Sequence, residues 1–295
     1  MCRFNIYKVI MLSRLNLSAS VLHLCLGIGF AIYFPILNQN NKNNPNLIET
    51  SIRNHVLQLV RNPDSSVTAN WLSIALQNPD ISIAQILIVI FFFITSAFHF
   101  FYYYNQSVYQ NVIGNQNNYF RWIEYSLTST IMLYVISIIS GVKDTKIYQL
   151  LWATNIGMIA QGQLIEYAVH KDESWWIPMI TGFVLLLSEW SVVIRDYLDR
   201  VNQTNSFIEA NPSETSRKTP GWITAMIFVM FLFYASFGAI SLYGAYKGNT
   251  YEYEKIETLY ILFSFLAKAT LGFFVAFGIA SRQSGSIGGS NVPLK

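Results

Sequence analysis

"LYILFSFLAKATLGFF", residues 259–274, sets fifteen uncharged residues around a single lysine, Lys268. The apolar run that contains it, about 256–281, is long enough to cross a bilayer. A lysine at the centre of a membrane helix costs about 2.5–3.5 kcal/mol on insertion scales. Snorkelling does not relieve it, because either helix end is roughly 18 Å away at a rise of about 1.5 Å per residue. A buried partner must offset the cost, or the amine is not an ordinary ammonium group. An unprotonated amine in an apolar pocket is suited to Schiff-base formation with an aldehyde, and a protonated Schiff base would again need a carboxylate.

The rest of the chain agrees with a membrane setting. Of 295 residues, 53% are hydrophobic and only 12% charged, too few charges to cover a soluble domain of this size. Seven segments are long and apolar enough to span: about 17–37, 81–104, 117–141, 147–169, 174–195, 220–246 and 256–281. This predicts an all-α membrane protein, a seven-helix bundle occupying residues 1–281. The first run lacks a small-residue cleavage site and is read as a retained anchor.

Between the first two spans lies a polar loop, 38–80. Within it Leu47, Ile48, Ile52, Val56, Leu59 and Val60 recur at close to helical spacing, which predicts an amphipathic helix. The Gly/Ser-rich tail, 282–295, is expected to be disordered. The net charge of +3 comes from loop residues with no basic patch, so nucleic acid is not an expected partner. Cys2 and Cys25 do not suggest a disulfide. No zinc-type spacing, Walker loop or Gly-x-Ser-x-Gly elbow is present, and an enzyme is not expected. Charge bias does not decide orientation: loop counts favour N-outside, whereas the flank of the first helix, with Arg3, Lys8 and Arg14, favours N-inside.

Ionisable groups inside spans are candidates for function. Besides Lys268 they are His23, His99, Glu124, Glu166 and Glu189. Glu124 is the best carboxylate partner for the lysine, with Thr128 one turn on. The competing reading is a local pair between Arg121 and Glu124 at i,i+3, and spacing does not separate the two. Ser264, four residues before Lys268, shares its face. The two histidines read first as packing residues, Glu166 as an interfacial group, and Glu189, in "LLLSEWSVV" (residues 185–193), as a deeper one.

Three stretches, "RWIEYSLTSTIM" (121–132), "NIGMIAQGQLIE" (155–166) and "SFLAKATL" (264–271), together resemble the heliorhodopsins, retinal-binding seven-helix relatives of the microbial rhodopsins. In the second stretch the resembling residues are Asn155, Met158, Gly162 and Glu166. The resemblance implies all-trans retinal bound covalently to Lys268 as a protonated Schiff base, with Glu124 as counter-ion. It implies Ser264, Thr128, His23 and His99 near that group, and a retinal pocket including Met158, Trp190, Phe233, Tyr234 and Phe237. It also implies a multi-pass membrane protein with cytoplasmic N-terminus and extracellular C-terminus, and a homodimer.

Two departures stand out: the family's first loop is a short β-hairpin, and Glu189 stands where an uncharged residue is expected. The implied function is light sensing, in which photoisomerisation drives a conformational signal to an unknown signalling or channel partner. The alternative is a light-activated proton conductor using Glu124, Glu166 and Glu189. A peptide or amine receptor is disfavoured, since Asp-Arg-Tyr and Asn-Pro-x-x-Tyr are both missing from their expected helices.

Overall fold

Backbone amides in hydrocarbon must be satisfied within their own segment, so each apolar run becomes a helix. The computed structural model describes residues 6–41, 53–61, 67–75, 81–142, 144–210, 221–248 and 253–287. Its helices are α1 (Ile6–Asn41), α2 (Ile81–Tyr104), α3 (Gln106–Gly114), α4 (Tyr119–Ser140), α5 (Thr145–His170), α6 (Trp176–Ala210), α7 (Gly221–Lys247) and α8 (Tyr253–Ile287). Seven are long; α3 is a short connector that buries Tyr109, Val112 and Ile113. Six are apolar and long enough to cross a membrane. The seventh, α5, has the length but carries Gln149, Asn155, Gln161, Gln163 and Glu166. Large apolar side chains such as Ile86, Phe100, Trp152, Phe228 and Phe277 point outward, as a lipid-facing surface requires.

Caps define the ends of α4 and α5. The Asn118 side chain accepts from the Arg121 amide at 3.1 Å, and Asp144 accepts from the Lys146 amide at 2.7 Å. Gly141, at φ +104°, ends α4 in a left-handed conformation that a side chain would disfavour.

The helices close into a ring: α1 packs on α2 and α8, α2 on α4, α4 on α5, α5 on α6, α6 on α7, and α7 on α8. α4 also touches α6 and α7, which puts it through the middle of the bundle. The main core, with Phe91, Phe92, Leu133, Ile136, Trp190, Met230 and Leu271, fills the half beyond Lys268.

The first loop departs from the expected helix. Residues Arg53–Arg61 (β1) and Val67–Ala75 (β2) form an antiparallel pair, Arg53 opposite Ala75 and Arg61 opposite Val67. Val56, Leu59 and Val60 therefore lie in a strand. Short apolar runs fit either period, and here a distant segment rich in β-branched residues supplies the backbone partners. Residues 47–52 of the expected helix fall outside the described residues. The tail is corrected too: α8 continues through Ile287, so 282–287 are helical, and 288–295 lie outside the described residues.

Gly162 permits the closest helix contact near the site. A Cβ there would come within 2.2 Å of the Trp122 ring. Gly162→Ala is expected to destabilise the bundle by about 1–3 kcal/mol through overpacking; thermal unfolding in detergent that matched wild type would contradict this contact.

Candidate functional site

Lys268 lies on the inward face of α8 and is 3% exposed. Its Nζ donates to Ser264 Oγ at 2.6 Å and stands 3.2 Å from Glu124 Oε1, on α4. The same carboxylate oxygen accepts from Thr128 Oγ1 at 2.9 Å and from Thr95 Oγ1, on α2, at 2.6 Å. The lysine nitrogen also lies 5.3 Å from the centre of the Tyr125 ring, which adds a cation–π attraction. The buried cation is thus paired and hydrogen-bonded, the condition under which a buried charge is tolerable.

The competing Arg121–Glu124 pair does not form. The Arg121 guanidinium turns to the neighbouring helices, pairing with Glu166 of α5 through Nη2 and Glu257 of α8 through Nη1. Its plane is packed over Tyr260, 4.0 Å to the ring centre. Glu166 is no headgroup-facing residue, as its position near a helix end had suggested. It also accepts from Trp122 Nε1 at 2.9 Å, from the Asn118 amide at 3.1 Å and from Tyr253 Oη at 3.2 Å. Glu257 accepts from Asn118 Nδ2 at 2.8 Å and from Tyr109 Oη at 3.4 Å. One cation between two carboxylates, each with further donors, ties α3, α4, α5 and α8 together at one end of the bundle.

The histidines sit beside the lysine site without bonding to it. His23 and His99 stack with centroids 5.5 Å apart, and His23 meets Phe265 of α8 edge-on at 5.3 Å. His99 Nδ1 is 2.7 Å from Asn16 Oδ1, and His23 Nδ1 donates to the Ala19 carbonyl at 2.7 Å. His23 Nε2 is buried with no hydrogen-bond partner among the described residues.

A cavity opens from Lys268 towards α5 and α7. Trp122, Tyr125, Met132, Met158, Tyr234 and Phe237 form its walls, with Ser264, Thr128 and Lys268 at one end. Trp190 stands one layer behind, its ring 5.3 Å from Tyr234 and 5.5 Å from Phe231. Phe233 is half-buried against the main core rather than on the cavity wall. Tyr234 itself is fixed by a 2.6 Å bond to the Ser129 carbonyl. Glu189 is 1% exposed, and neither of its carboxyl oxygens has a partner among the described residues.

Asn155, Met158, Gly162 and Glu166 form one stripe of α5. Asn155 donates to Ser129 Oγ at 2.8 Å and to Thr130 Oγ1 at 2.7 Å, Met158 lines the cavity, Gly162 admits Trp122, and Glu166 meets Arg121. Residues 12–280 match the family model for heliorhodopsin. The chain belongs to the heliorhodopsin family. No curated protein sequence matches it. Among solved structures, it is similar to Acetabularia rhodopsin I at 12% identity and a TM-score of 0.53, covering 92% of this chain and 96% of that one. It is similar also to a thermophilic rhodopsin at 14% identity and a TM-score of 0.56, covering 94% of this chain and 97% of that one. At those identities the likeness is one of fold. Membership of a rhodopsin family implies a retinal chromophore and makes this heliorhodopsin an integral membrane protein.

Thr95, Asn118, Tyr109 and Glu257 were not singled out by sequence. Neutral polar residues carry little signal in a membrane helix, but Glu257, in the first turns of α8, could have been found as a further acidic residue within that span. Removing the cation from its two carboxylates leaves both buried and uncompensated. Arg121→Gln is therefore expected to cost about 3–5 kcal/mol of stability, seen as a large fall in unfolding temperature; a variant as stable as wild type would refute the network.

Proposed function

We propose that this heliorhodopsin is a light sensor whose switch is the ion pair between the nitrogen of Lys268 and Glu124. The observation that carries the reading is their 3.2 Å approach, buried beside an aromatic cavity that Lys268 helps to line. An elongated apolar aldehyde fits such a site: aromatic walls along its length and one amine with one carboxylate at its end. All-trans retinal, joined to Lys268 as a protonated Schiff base, supplies visible absorption and a light-driven isomerisation.

The protein's part is electrostatic. Glu124, held by Thr95 and Thr128, stabilises the proton on the Lys268 nitrogen in the dark. When the N–H turns away, that attraction weakens, and Glu124 is the nearest base to receive the proton. Transfer neutralises both partners and removes the charge attraction between α4 and α8. The helices then repack, and the changed surface is the signal to a partner.

A second reading, light-activated proton conduction, is favoured by Glu189, a buried carboxyl with no partner among the described residues. Glu166, committed to Arg121, is a poorer station for a moving proton. The reading further carries a homodimer, a cytoplasmic N-terminus and an extracellular C-terminus.

Two measurements check these points. Protein purified with all-trans retinal should show a visible absorption band that Lys268→Ala lacks; two colourless, folded proteins would dismiss the chromophore site. Under the stated orientation Asn202 faces outward and Asn105 inward, so expression in a glycosylating host should place sugar at Asn202. Sugar at Asn105 would reverse the topology.

A further inference from the structure

Between the depth of Thr128 and the bundle end opposite Arg121 lie buried polar atoms that the ion-pair switch does not use. On α6, Glu189, Val193, Asp196 and Arg200 succeed one another at i, i+4, i+7 and i+11 and so share one face. Arg200 Nη1 donates to the Ile139 carbonyl at 2.8 Å, which turns that face towards α4. The two helices run in the same direction, joined through the antiparallel α5. Eleven residues back from this contact on each helix, Glu189 and Thr128 stand at about the same depth.

Asn155 of α5 reaches that level as well, through its bonds to Ser129 and Thr130. Its Oδ1 is buried with no hydrogen-bond partner among the described residues, and so are Ser137 Oγ and both oxygens of Glu189. These atoms come from α4, α5 and α6, the three helices packed side by side. Buried polar groups of this kind are ordinarily satisfied by ordered water. Further along α6, Asp196 is half-buried and lies in the field of Asp199, Arg195 and Asp144 near the α4–α5 turn.

We propose that Glu189 is the inner station of a proton route that runs along α6 through Asp196 to the bundle end opposite Arg121. This rests on the proton-conducting reading and gives it a path. Water held by Asn155 and Glu189 joins the carboxyl to the hydroxyls of α4 at Ser129 and Thr130. Ser137 lies further along α4 towards the level of Asp196, and Thr128 already bonds Glu124 beside Lys268. In one passage Glu189 releases its O–H proton towards Asn155, and the resulting carboxylate takes a proton from the Asp196 side. One proton enters and one leaves, so no net charge remains in the apolar interior. Glu166 and Glu257 take no part, because both are held by Arg121.

Infrared spectroscopy tests the route directly. Retinal-free wild type should show a protonated-carboxyl C=O stretch that Glu189→Gln, a neutral change of similar size, lacks. If the two spectra coincide, no proton is stored there and the proposal fails. With retinal bound, light should bleach that band transiently, and Asp196→Asn should slow its recovery about a hundredfold, the scale of one lost proton-transfer group. A band that never bleaches while the visible absorption cycles also overturns the proposal.

The photocurrent separates it from the reading beneath it. A wild-type current that survives Glu189→Gln removes Glu189 and leaves conduction standing. A wild type without current, whose Glu189 band still bleaches and recovers through Asp196, removes conduction and keeps the relay.

Discussion

The burial of Lys268 against Glu124 is the constraint around which the rest of this bundle is arranged. Neither ion is tolerable alone in a dry helix bundle, and the pair is tolerable only with its remaining hydrogen bonds satisfied. That requirement draws in four helices: Lys268 and Ser264 from α8, Glu124 and Thr128 from α4, Thr95 from α2, and the α1–α2 histidine stack that packs against Phe265. Among the described residues, the bonds to Glu124 converge on one oxygen, Oε1. A carboxylate so oriented presents a fixed acceptor to the lysine nitrogen, and any displacement of that nitrogen is felt at once as lost attraction.

Arg121 stands one turn from Glu124 yet contributes nothing to it directly. Had the guanidinium paired with Glu124, the lysine would have shared its counter-ion with a permanent cation, and the pair would have been weaker. The competition is removed by supplying Arg121 with two other carboxylates, on α5 and α8, and with the face of Tyr260. The two ion clusters are thus neighbours with separate partners. Both clusters bridge α4 and α8, so the two helices are tied together at two depths by separate ion pairs.

Much of this was legible because certain residues are costly where they stand. Lys268 and Glu124 announce themselves by charge within apolar sequence, and the long helices follow from extended apolar runs, that of α5 being the most polar. Thr95 carries no such mark: a threonine in a membrane helix normally bonds its own backbone, and only the approach of α2 to α4 gives it a carboxylate. The Arg121–Glu166–Glu257 cluster joins residues 45 and more positions apart, and local spacing left Glu124 open as a partner for Arg121. The β1–β2 hairpin was hidden for a related reason. Val56, Leu59 and Val60 satisfy a helical period, and the segment that selects a strand is Val67–Ala75.

The polar groups of the interior fall into two kinds, and the difference bears on function. At the Arg121 end Glu166 and Glu257 share one cation and are each held by further neutral donors, so a proton added to either would break an ion pair. At the Glu189 end the carboxyl, the Asn155 carbonyl and the Ser137 hydroxyl have no protein partner among the described residues. Groups that bond only through water can exchange a proton without dismantling a helix contact. On the proposed route, a proton leaving the Lys268–Glu124 pair has a rigid ion-paired cluster on one side and an adaptable polar layer on the other. The asymmetry gives any movement of protons through this bundle a preferred side, whether it ends in a current or in a stored charge that prolongs the signal.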